Sequence, residues 1–124
     1  MAKNKTSREA AEILEPLNTN KNILSYLITR NCEKGHNKAY VFVILHKRKK
    51  PLFLIRFWGK FDERSLMREK WDDYSQSEHQ QLLNEKARDG YKIASDEELV
   101  RNKKVYTVIV WYINEQIKTG LAFY

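Results

Sequence analysis

"AYVFVILHKRKKPLFLIRFWGK", Ala39 to Lys60, decides how this chain folds. Two apolar runs, Ala39–His46 and Leu52–Trp58, are rich in β-branched and aromatic residues and read as strands. The polar segment between them, Lys47 to Pro51, has hairpin length, and Pro51 suits the start of a strand, where no ladder donor is needed. Side chains alternate along a strand. One face of the second run therefore carries Phe53, Ile55 and Phe57, and the other carries Leu52, Leu54, Arg56 and Trp58. The first face is uniformly apolar and is the core candidate. Lys60 joins the second face if the strand persists through Gly59.

Working outward, Ile23–Arg30 reads as a further strand, and a short one is expected around Leu66–Met67. The run "VYTVIVWYI", Val105–Ile113, reads as the strongest strand of all. Both its parities are apolar, which predicts either a central strand covered on both faces or an association surface. One helix stands out. Ser75 and Glu78 have capping-box spacing, His79, Leu82, Leu83, Lys86 and Ala87 line one stripe, and Gly90 sits where a left-handed cap is wanted. A shorter helix is expected from Ser95, with Glu98 three residues on. Residues 1–18 read as an N-terminal helical arm, starting near Thr6 and limited by Pro16 to about two or three turns. The expected fold class is α+β: a single domain over 19–124, an antiparallel sheet with one main packed helix and the N-terminal arm. The helix stripe is expected to bury one face of the sheet and leave the other partly open to solvent.

A chain of 124 residues has room for one modest core. Its 42% hydrophobic and 31% charged residues fit a globular rather than a disordered chain. No apolar run approaches the length needed to span a membrane, and the first residues lack the apolar core of a secretory signal. A lone cysteine, Cys32, excludes an internal disulfide and favours a reducing compartment. The expected location is cytoplasmic or nucleoid/nuclear, not secreted. With three scattered histidines, His36, His46 and His79, the paired spacings of a zinc site are missing.

The net charge of +7 is unevenly spread. From Lys34 to Lys60 there are eight basic residues and no Asp or Glu, so the other residues balance 15 basic against 16 acidic ones. A basic segment on a near-neutral body points to a polyanion. Within it, Lys47, Arg48, Lys49 and Lys50 form the hairpin turn, and Arg56, Trp58, Gly59 and Lys60 end the second strand. Cations pair with phosphates, an indole stacks on bases or sugars, and glycine lets a backbone approach closely. These eight residues are the candidate nucleic-acid-binding site.

No catalytic motif stands out, and neither a cofactor nor a metal is expected. "EKWDDY", Glu69–Tyr74, groups three carboxylates, but acids beside a helix start suit the helix dipole. His79 reads as a core-edge histidine. Two other readings stay open: a protein-interaction or homodimerisation module using residues 105–113, and a small nuclease.

The order of features from about Tyr40 to Tyr91 resembles the WGR domain. That family is named for its Trp-Gly-Arg motif and occurs in DNA-dependent poly(ADP-ribose) polymerases and some bacterial proteins. The matching parts are the hairpin, Trp58-Gly59-Lys60 directly after it, Trp71 and Tyr74 before the helix cap, and "EKARDGY", Glu85–Tyr91, closing the helix. The resemblance implies an antiparallel sheet with a packed helix, and a non-enzymatic module whose Trp-Gly-basic region contacts DNA rather than RNA. Two positions depart from the pattern. Lys60 replaces the arginine, removing planar bidentate contacts, and Asp62 stands where a second glycine is usual.

Overall fold

The computed structural model describes residues 4–48 and 51–123. The chain is α+β, as expected: a five-stranded antiparallel sheet in the order β4-β3-β2-β1-β5, with four α-helices. The strands are β1 (Ile23–Asn31), β2 (Lys38–Leu45), β3 (Phe53–Lys60), β4 (Arg68–Asp73) and the two-residue edge β5 (Lys92–Ile93). The helices are α1 (Lys5–Asn18), α2 (Gln76–Arg88), α3 (Asp96–Arg101) and α4 (Lys103–Gly120).

The hairpin of β2 and β3 forms the centre, in a register that sets Leu45 opposite Phe53 and Lys38 opposite Lys60. The face carrying Val41, Val43, Leu45, Phe53, Ile55 and Phe57 is fully buried. Its cover corrects the sequence reading. Val105–Ile113 is not a strand but the middle of helix α4. Tyr106, Ile109, Val110, Ile113 and Ile117 are buried at helical spacing, while Lys104, Thr107, Val108 and Trp111 face outward. A continuous apolar run does not distinguish strand from buried helix by periodicity; length arbitrates, and this element runs for 18 residues. Burial of its inner stripe overrides the weak helix propensity of its β-branched residues.

The same face also receives α1 and α3. Ala10, Ile13 and Leu17 of α1 lie in the main core, so residues 5–18 are part of the packed body. The helix starts one residue before Thr6, capped by Asn4, whose side chain accepts from the Ser7 amide at 2.8 Å. It also passes through Pro16. Burial of Leu17 holds the last turn, and the Thr19 amide and hydroxyl both bond to the Glu15 carbonyl at 2.9 Å.

Helix α2 covers the opposite face of the sheet, the one that carries Trp58, and not the uniformly apolar face. Its caps are as the sequence predicts: the Ser75 side chain accepts from the Glu78 amide, and Gly90 has a φ of 103°. Its stripe of His79, Leu82 and Leu83 is only half-buried. The expected strand near Leu66–Met67 forms just beyond, as β4. One side chain of β4 meets α4 closely. A Cβ on Gly120 would come within 2.2 Å of the Trp71 ring, so the helix end depends on glycine there.

A polar network crosses the main core edge. Arg30, 8% exposed, donates to Glu98 at 2.5 Å and to Asn37 at 2.8 Å, and its guanidinium lies 3.5 Å over the Phe61 ring. Tyr106 donates to the same Glu98 oxygen, and burial pushes its phenol well above the usual tyrosine range. These bonds tie β1 to α3 and α4.

Candidate nucleic-acid interface

Alternation and register assemble one surface from three strands. On the α2 side, β2 presents Lys38, Tyr40 and Phe42, β3 presents Arg56, Trp58 and Lys60, and β4 presents Arg68 and Lys70. Strand β3 continues through Gly59, so Lys60 does share the face of Trp58. Gly59 contributes backbone only. Its φ is not positive, and a Cβ there would meet Met67 and Leu66 at ordinary contact distances of 3.6 and 3.8 Å.

The sheet end and α2 enclose an open cleft of about 920 Å³. Lys38, Lys60, Arg68 and Lys86 line it together with His36, and no Asp or Glu does. None of the four cations forms an ion pair among the described residues. Lys38 and Lys60 stand directly opposite each other across β2 and β3, a like-charge pairing that costs stability.

Aromatic rings form the floor. Trp58 stacks on Tyr40 with centroids 5.7 Å apart and planes 13° apart, and Tyr40 stacks on Phe42 at 4.9 Å. The Lys86 ammonium sits 4.4 Å from the Tyr40 ring centre, and Tyr91 meets the Tyr40 edge-on at 5.9 Å. Gly90 makes this possible: its left-handed turn folds the chain back so that the Tyr91 amide bonds to the Lys86 carbonyl at 3.0 Å. Tyr40 is 5% exposed and serves as backing, while Trp58 is half-buried and still opens to the cleft. Burial raises the Tyr40 phenol above its ordinary range, against the opposing effect of Arg56.

The structure separates the sequence candidates. Trp58, Gly59 and Lys60 line the cleft. Arg56 lies on the same face, but its guanidinium is held by Asp72 at 2.9 Å. Its other terminal nitrogen reaches the Tyr40 hydroxyl at 3.5 Å. Lys47 and Arg48 sit at the opposite end of the hairpin, roughly 20 Å away by strand rise. Arg48 takes a positive φ of 49°, and Lys49 and Lys50 lie outside the described residues. The cleft also brings Arg68 of β4 and Lys86 of α2 to the side of Trp58 and Lys60. Neither is near Trp58 in sequence. The one signal for Lys86 was its place on the apolar stripe of α2, where a charged residue stands among His79, Leu82 and Leu83.

The histidine on the α2 stripe is held among aromatic rings. His79 lies between Phe42 and Tyr74, with ring centroids at 5.5 and 5.9 Å, and burial lowers its pKa. Among the described residues no group of three His, Cys, Asp or Glu is placed to hold a metal ion, and no helix is long and apolar enough to cross a membrane. Compared with family models, curated proteins and solved structures, the chain shows no significant match.

Proposed function

We propose that this protein is a nucleic-acid-binding module, with DNA as the ligand and no chemical step of its own. The observation that carries this reading is the cleft: four cations, without carboxylate partners among the described residues, line the same space as a tryptophan that opens to it. Phosphates meet the cations while the indole offers a stacking face. The resemblance to the WGR domain agrees with it, because the Trp-Gly-basic segment is the part that lines the cleft.

Titration of a labelled DNA oligonucleotide at two salt concentrations tests the reading. Affinity is expected to fall steeply with salt, by nearly one unit of logarithmic slope per phosphate contact. Lys38→Gln combined with Lys60→Gln is expected to flatten that slope without destabilising the fold, since it removes a repulsive pair. The same loss from Lys47→Glu with Arg48→Glu, and none from the cleft pair, would move the site to the hairpin turn.

A second reading keeps the protein-contact expectation at residues 105–113, now on a helix. Trp111 is 61% exposed beside the exposed Val108. A mass that rises with concentration in sedimentation, and falls back in Trp111→Lys, would support it.

A further inference from the structure

We infer that the cleft takes an unpaired stretch of nucleic acid, with one base laid on Trp58, rather than an intact duplex. This rests on the nucleic-acid reading above and names the form of the ligand. In a duplex the faces of the bases are occupied by their neighbours, and only groove edges and phosphates remain to be read. A stacking platform is useful only to a base whose face is free. Trp58 is built as such a platform. It is held nearly parallel to Tyr40, at 13°, so its plane is set before any ligand arrives. Tyr40 is itself fixed by Phe42, Tyr91 and Lys86.

The rim supplies the second observation. Leu66 also lines the cleft and is 78% exposed, on the loop that joins β3 to β4. An apolar side chain left in water at the rim of the cleft that holds the tryptophan is suited to cover the outer face of an inserted base. The third is size and charge placement. About 920 Å³ lies at the upper end of small-ligand pockets, enough for a few unpaired nucleotides. The cations stand on both walls, Lys38, Lys60 and Arg68 from the sheet and Lys86 from α2, so a strand passing between them meets positive charge on either side.

The test compares fluorescein-labelled dT12 with a blunt 12-base-pair duplex at equal salt, using the full chain. dT12 is expected to bind at least about tenfold more tightly, and Trp58→Ala is expected to weaken dT12 by roughly 5- to 140-fold with little change for the duplex. Trp58→Phe keeps a ring and is expected to recover most of the loss. Should Trp58→Ala prove unfolded, Leu66→Glu serves instead. Its side chain is exposed and carries no packing, and it is expected to weaken dT12 about tenfold while the melting temperature stays in place. Equal affinity for dT12 and duplex, with both variants acting alike on the two, overturns the unpaired-strand inference and leaves the polyanion cleft standing. No salt-sensitive binding of either oligonucleotide overturns the nucleic-acid reading itself.

Discussion

The two faces of the central hairpin are built from the same strands and behave as different materials. Beneath α1, α3 and α4, Val41, Val43, Ile55 and Phe57 are closed from solvent, and every side chain is apolar. Beneath α2, aromatic rings alternate with cations, no residue of the helix is fully buried, and open clefts flank it. A sheet with one sealed face can carry a second face that is incompletely packed, because burial on the first supplies the stability. The unsealed face is then free to hold like charges together and to leave a tryptophan open.

Phe57 and Trp58 are neighbours in sequence and lie on opposite sides of this divide, which makes them the sharpest test of it. Phe57→Ala is expected to cost about 3–5 kcal/mol of stability, read from the denaturation midpoint. Trp58→Ala is expected to cost much less. If both lose stability equally, the two faces are equivalent and the comparison fails.

Gly120→Ala probes the sealed side where α4 meets the sheet. Alanine is the better helix former, yet its Cβ meets a rigid indole at 2.2 Å. A loss of about 1–3 kcal/mol is expected from overpacking. A gain in thermal stability would show that Trp71 moves aside freely.

Leu82→Ala probes the open side. Its side chain is half-buried on the stripe of α2, so a loss of about 1–2 kcal/mol is expected, below that of a sealed core position. A loss as large as that of Phe57→Ala would mean that α2 is an equal half of the core.

The smallest expected effect is one of pH. Burial between Phe42 and Tyr74 lowers the pKa of His79 in the folded state. The unfolded chain then binds its proton more readily, so stability is full above about pH 6.5, the unfolded value, and declines as pH falls below it. In His79→Leu that decline is expected to shrink between pH 6.5 and 5, as followed by urea midpoints. An unchanged profile would mean that the ring escapes its pocket when protonated.

Much of this arrangement was legible in the residues. Alternation in Leu52–Trp58 identified the core face and placed Arg56 and Trp58 together on the other, because the strand period is short and leaves little ambiguity. The capping signals at Ser75, Gly90 and Ser95 marked helix ends through local hydrogen bonding, which depends on a few neighbouring residues only. The basic segment from Lys34 to Lys60 identified the charged region but not which of its cations share one cleft.

What remained undetermined depended on contacts between distant parts of the chain. Val105–Ile113 carries no periodicity that separates strand from helix, and only its packing against the sealed face settles the matter. The choice of face for α2 was equally hidden, since an amphipathic stripe does not name the surface that receives it. The cleft is the extreme case. Lys38, Trp58, Arg68 and Lys86 meet because strand register sets Lys38 beside Lys60 and Trp58 beside Arg68, and because α2 returns across the sheet. Local sequence determines which residue types are present and which way each strand turns them. Register and crossing determine which cations share a space, and these are set by the whole core at once.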